Sequence, residues 1–394
     1  MPSKTVEYGN KLTLPSSGCT RTGYHQEGWI DSKENFWESD EEILFEFEDG
    51  ENGIENGQLH LKANWVKDDN CEETEPVFVA EIDYNGDRSA TIYNELHKSI
   101  AKVQKNENIF SGKRITSEFG VTGDDEIGGG YGYNYFVIYS LKPNVYYSDK
   151  KNASASQLKL LSNIRLNAFE KEQIYIYKMG CVKQPENYTF VGEVHTASTG
   201  GIGGPKIVVY DKEKNVSKLL SNTFLSTNRK HYSYFGIMGA GDDVSIYSLK
   251  FGLYYSTSQT NNESDLRDFT AIQWSPDEEK RYWIYKRNTI KEPEGYQLIM
   301  KVFTASTKGS GGAKVMVMYK TKSEFKTAAD SYRTKKIELK FPTDIKNVIW
   351  TLKPVNKKYY YHTTETTDAS ELNKFTKTLK GRSISSKYCI YQKK

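Results

Sequence analysis

Few residues in this chain could carry chemistry, and their spacing argues against an enzyme. The six histidines (His25, His60, His97, His195, His231 and His362) form no HExxH pair, and no serine sits in a G-x-S-x-G elbow. His195 precedes a Thr196-Ala197-Ser198-Thr199 stretch, but the matching position 108 residues later is Phe303, so a place in a sheet explains it better than catalysis. The four cysteines (Cys19, Cys71, Cys181 and Cys389) make no CxxC pair and have no histidine at metal-ligand spacing. They read as free thiols of a reducing compartment, which places the protein in the cytoplasm or an intracellular assembly, with non-classical export as the other route. Acidic pairs occur at Gly123-Asp124-Asp125-Glu126 and Gly241-Asp242-Asp243, with only Asp344 in the corresponding C-terminal region. Calcium takes six to eight oxygens, so Asp124, Asp125, Asp242 and Asp243 are the weak metal candidates. Asp-Asp after glycine is also ordinary turn chemistry, and the expectation is no cofactor.

The least ordinary feature is aromatic. Tyrosine occurs 29 times, often alternating with isoleucine, as in Ile174-Tyr175-Ile176-Tyr177. A tyrosine buries a large area at little entropy cost and keeps a polar tip, which suits protein interfaces and carbohydrate binding. Tyr175, Tyr177, Trp283, Tyr285, Tyr388 and Tyr391 are therefore the candidate assembly or ligand surface, although packing against neighbouring domains would account for them too.

The Gly-rich segments from Thr196 to Lys206 and from Thr304 to Lys314 lead into strands. A phosphate-binding P-loop needs Gly-Lys-Ser/Thr entering a helix, so these are read as tight connections. The second of them, Val302-Phe303-Thr304-Ala305-Ser306 through Gly311-Gly312 to Val315, resembles the first loop of PLAT domains, the lipoxygenase-type β-sandwich. It is one residue short and lacks that family's acidic residue. The resemblance implies a sandwich and carries no site residue to this chain.

The elements that hold these residues repeat. Pro185-Glu186-Asn187-Tyr188, Thr196-Ala197-Ser198-Thr199, Gly203-Gly204 and Lys206-Ile207-Val208-Val209 all recur at an offset of 108. Ser140-Leu141-Lys142 matches Ser248-Leu249-Lys250 and then Thr351-Leu352-Lys353. Gln58-Leu59-His60-Leu61-Lys62 aligns with Gln297 to Lys301, and Val77-Phe78-Val79 with Val315-Met316-Val317. Period-2 alternation and turn signals roughly every 8 to 12 residues predict an all-β protein of three tandem antiparallel β-sandwich domains, roughly eight strands each. The expected divisions are an N-terminal extension at 1–36, repeat 1 at 37–165 with a loop insert at about 94–131, repeat 2 at 166–273 and repeat 3 at 274–394. The insert carries a candidate short helix from Ile92 to Gln104, and Asn85-Gly86 signals a type I′ hairpin. The strands at 174–178, 282–286 and 388–392 are versions of one another, and Ile43-Leu44-Phe45-Glu46-Phe47 resembles them. Four versions for three bodies leave one spare: either the strand closes each body and the N-terminal copy is spare, or it opens each body and the C-terminal copy is, and the divisions above take the C-terminal strand as the surplus one.

The chain has 54 Lys plus Arg against 51 Asp plus Glu, a net charge of +3. The two signs are interleaved, so nucleic acid is not an expected partner. No apolar run is long enough for a secretory signal or a transmembrane segment. The expected role is a non-enzymatic structural or self-assembling protein, a homo-oligomer or a partner of other proteins, interacting through sheet edges and tyrosine-rich faces. The alternative is a lectin-like or toxin-component protein that binds glycan or lipid surfaces, with or without calcium.

Overall fold

The computed structural model describes residues 10–14, 24–31, 36–38, 42–44, 54–55, 58–67, 75–105, 107–124, 135–167, 169–201, 203–240, 243–275, 277–306, 313–319, 323–327, 332–341 and 349–394. The chain divides into two compact units, Met1–Glu72 and Glu73–Lys394. In the first unit Lys11–Thr13 pairs with Glu42–Leu44, Tyr24–Ile30 pairs with both Phe36–Glu38 and Lys62–Lys67, and Ile54–Glu55 pairs with Gln58–Leu59. Among the described residues of this unit, Leu14 and Trp29 are buried and apolar.

The second unit holds three sandwich bodies, each a six-stranded sheet facing a four-stranded one, all antiparallel. Among the described residues, every body has eight strands of three or more residues and two of only two residues. The strand count expected from the turn spacing is therefore met.

Each body opens and closes at the middle of its large sheet. The opening strands are Val77–Tyr84, Tyr188–Ser198 and Tyr296–Ser306, and the closing strands are Glu172–Lys178, Arg281–Arg287 and Lys387–Lys393. Opening and closing strands pair within each body, as in Ile174↔Ile82, Glu193↔Trp283 and Lys301↔Cys389. A bulge recurs at the same place in all three opening strands, at Val79, Val191 and Ile299. Such insertions increase local twist, and their repetition marks one architecture used three times.

This pairing corrects several sequence expectations. The C-terminal strand is not surplus, because it is hydrogen-bonded on both sides, to Tyr296–Ser306 and to Tyr359–His362. The expected divisions at 165/166 and 273/274 fall inside the strands Asn163–Asn167 and Ala271–Trp274 and would separate each closing strand from its sheet. Val77–Tyr84 is the opening strand, equivalent to Tyr296–Ser306 rather than to Lys314–Met318. Gln58–Leu59 belongs instead to a small hairpin of the first unit. Glu42–Leu44 lies there as well, while Phe45, Glu46 and Phe47 lie outside the described residues. The supposed insert at 94–131 contains regular strands of the first body (Ser99–Val103, Lys113–Arg114 and Phe119–Asp124), and Ala90–Tyr93 and Ser99–Val103 stand where a helix was expected. The hairpin at Asn85-Gly86 is present, but its left-handed residues are Gly86, Asp87 and Arg88, so it is a longer loop than a type I′ turn. Pro354-Val355-Asn356, not Thr351-Leu352-Lys353, occupies the place of Ser248-Leu249-Lys250, since the amides of Val355 and Leu249 make the same bond into the neighbouring strand.

Candidate functional site: the junctions between bodies

A half-buried strand hides one face; the central strands here hide both. Ile174 and Ile176 point into the first core, Tyr282 and Ile284 into the second, and Ile390 with Tyr388 into the third. The alternate residues lie on the outer face of the large sheet. In the second and third bodies that face packs on the small sheet of the body before it.

Between the second and third bodies, Met238, Tyr247 and Phe251 meet Leu298, Phe303, Ala305, Met316 and Tyr391 in one apolar cluster. Between the first and second, Tyr139 and Leu141 meet Ala197 and Val208. On the small sheets a tyrosine ring lies over a cross-strand glycine in both cases, Tyr139 over Gly120 and Tyr247 over Gly236. A Cβ at Gly120 would stand 2.5 Å from the Tyr139 hydroxyl, so only glycine lets the ring lie flat and present a docking surface.

Each junction also buries charge, at equivalent positions of the opening strand. In the first junction Glu193 and His195 are each 1% exposed. Arg281 spans the seam: it donates to Glu193 Oε2 at 3.0 Å, to the Leu161 and Pro143 carbonyls at 2.8 and 3.1 Å, and to Ser162 Oγ at 3.0 Å. Burial opposes the Glu193 carboxylate, but the Arg281 guanidinium overcomes this and holds its pKa below the ordinary value. In the second junction Lys301 takes the place of Glu193, 2.8 Å from Glu365 and 3.4 Å from Asp268 of the preceding body, which also pairs with Lys387 at 2.7 Å. Burial penalises the Lys301 cation, yet the two carboxylates raise its pKa well above the usual value. Asp268 is likewise held low by Lys301 and Lys387 against the cost of burial. Glu365 further accepts from the Gly252 amide across the seam at 3.0 Å.

One constellation has the outline of a hydrolase triad. Ser140 Oγ lies 3.3 Å from His195 Nε2, and His195 Nδ1 lies 2.7 Å from Glu193 Oε1, a contact of ion-pair length without hydrogen-bond alignment. All three are buried and Arg281 occupies the carboxylate, so the arrangement is suited to fastening two bodies together. Burial lowers the His195 pKa and keeps the ring neutral.

The predicted site residues fall as follows. Tyr175, Tyr177, Trp283, Tyr285 and Tyr391 lie on the outer faces of the large sheets, and all are at most 7% exposed. Tyr177, Tyr285 and Tyr391 turn their hydroxyls to backbone groups of Asn152, Lys183 and Thr366. Trp283 stacks against Arg281, 4.7 Å from ring to guanidinium. Tyr388 instead packs against the third core and bonds to the Lys380 carbonyl, and Cys389 takes the outward position. Burial pushes the Cys389 thiol up, and it is free. Cys181, however, is disulfide-bonded, which corrects the expectation of free thiols throughout. Asp124 is fully buried, paired with Arg165 at 2.6 Å and accepting from Thr199 at 3.3 Å, while Asp243 accepts from Gln273 at 2.7 Å. They stand on opposite strands of the equivalent hairpins rather than at matching positions. Asp125 and Asp242 lie outside the described residues. Among the described residues no cluster of three metal-binding side chains occurs, and no helix is long and apolar enough to cross a membrane.

The junction residues Glu193, Arg281, Lys301 and Asp268 were not among the candidates. Their signal is present: Glu193 and Lys301 are the single carboxylate and the single ammonium, at the same position, of two strands that carry no other Asp, Glu, Lys or Arg. No protein-family model matches this chain, and no curated protein matches its sequence.

Proposed function

We propose that this is a non-enzymatic structural protein whose three sandwich modules are fastened into one stiff stack. The observation that carries the reading is the double burial of the central sheets. Faces that a binding module would expose are spent on the junctions, and each junction adds a buried charge network to its apolar contact. The triad-like residues are buried in one of these seams, where a role in docking accounts for them. The disulfide at Cys181 fits an oxidising compartment, which favours export over the cytoplasm. Limited trypsin digestion of the full chain tests the proposal, since Lys183 and Lys291 lie between closing and opening strands. The expected product is one fragment carrying all three bodies. Release of separate module-sized fragments at low protease would remove the reading, because it would mean independent beads on a string.

A further inference from the structure

The two junctions differ in side-chain size at one spot on the tyrosine, and in the first a cleft lies beside it. In the second, Arg229 lies over the Phe325 ring at 4.5 Å, and Phe325 packs 5.8 Å from Tyr247. The equivalents in the first are Gly112 and Leu219 beside Tyr139, as the strand registers align them. Gly112 has a φ of +84°, a conformation other residues adopt only with strain, and a Cβ there would collide with Leu219 Cδ2, so Leu219 packs directly on the glycine. Beside this contact lies a cleft of about 450 Å³, within the size range of small-molecule sites.

Its chemistry is one-sided. Arg114, Lys142 and Lys218 line it together with Ser111, Ser117 and Asn215, and no carboxylate is among the lining residues. Arg114 spends one donor on the Ser217 carbonyl at 3.2 Å and keeps other N–H groups. Lys142 lies 4.7 Å from the Tyr210 ring and bonds to Asn215, and burial lowers its pKa. Glu118, whose charge also acts on Lys142, accepts from the Ser117 hydroxyl at 2.7 Å. We propose that this cleft binds a small hydroxylated ligand bearing an anionic group: a phosphate, sulfate or carboxylate on a sugar-sized molecule. The cations take the anion, and the serine and asparagine groups take hydroxyls. The site spans the first junction, so an occupant bridges the first and second bodies.

Calorimetric titration of the full chain with glucose 6-phosphate, glucose 6-sulfate, glucuronate and plain glucose tests the proposal. At least one anionic sugar binds saturably, and which one identifies the group; glucose does not. Arg114→Gln or Lys142→Gln weakens binding about tenfold or more, as expected for losing a hydrogen bond to a charged group, while Lys374→Gln, in the third body, leaves it unchanged. Leu219→Phe installs the residue that the second junction accommodates and abolishes binding at unchanged melting temperature. Failure of all three anionic sugars to bind, equal binding of glucose, or full binding by a folded Leu219→Phe variant overturns the site.

Discussion

Arg281 concentrates the energetics of the first junction in one side chain. Removing it leaves Glu193 buried without its cation, and breaking a buried pair in this way costs about 3–5 kcal/mol. Arg281→Ala therefore lowers the denaturant midpoint far more than Lys340→Ala, which removes an exposed lysine. The pH dependence has a defined sign. The folded pKa values of Glu193 and Asp268 are depressed, so their contribution is present above the ordinary carboxylate range and is lost as pH falls through the depressed values. Lys301 is raised, so its share is complete below the ordinary lysine value and is lost only at extreme alkaline pH. His195 is a base held neutral by burial, and its unfolded form takes up a proton near 6.5, so stability declines as pH drops below that value. His195→Phe, which copies Phe303, should flatten that decline in urea titrations at pH 7 and pH 5. Little of this is legible in the sequence. The His195-to-Phe303 exchange rightly signals a sheet position, but the partners of Arg281 across the seam, Pro143, Leu161 and Ser162, lie more than a hundred positions away.

At the scale of elements, alternation reads well and pairing order does not. Ile174 and Ile176 against Tyr175 and Tyr177 are enough to identify a strand with two apolar faces. What the second face meets depends on which body stacks upon it, and local pattern does not record that. The fourfold motif invites a spare strand because recurrence says nothing of whether a strand opens or closes its body. Pairing settles the matter at Lys387–Lys393, which lies between two strands of the same sheet. Deleting 387–394 therefore removes the middle of a sheet and not a free donor arm. The expected result is loss of the third body's folded signal, seen as loss of its slowly exchanging amides with the first body intact. An unaltered third body would contradict the pairing. The glycine beneath each docking tyrosine is equally demanding. Gly236→Val forces the Tyr247 ring off the strand, and a typical overpacking cost of about 1–3 kcal/mol should appear as a lowered melting temperature.

At the scale of the whole molecule, the small sheet of the third body differs in kind from the two that dock. On the third small sheet, Glu338, Lys340, Thr351, Lys353 and Lys380 occupy the places that Gly236, Met238, Ser245, Tyr247 and Gln273 fill in the second. Lys340, Lys353 and Lys380 are exposed, and Glu338 pairs with Lys340 at 2.8 Å. At the other end, the first body has Asp83, Thr91 and Lys102 where the second has His195, Val208 and Leu219 and the third has Phe303, Met316 and Phe325. Polar terminal faces are what keep a stack of repeats from growing. Converting the five third-body positions to their second-body counterparts should create an apolar face and produce concentration-dependent self-association in sedimentation experiments. The central claim is that the junctions hold the bodies in one fixed arrangement. Its most direct test is a spin-label distance measurement between Ser156 in the first body and Ser370 in the third, both exposed and both in the same short turn of their bodies. One narrow distance peak, broadened by Arg281→Ala, is the predicted result; a broad distribution in the unaltered protein would contradict it.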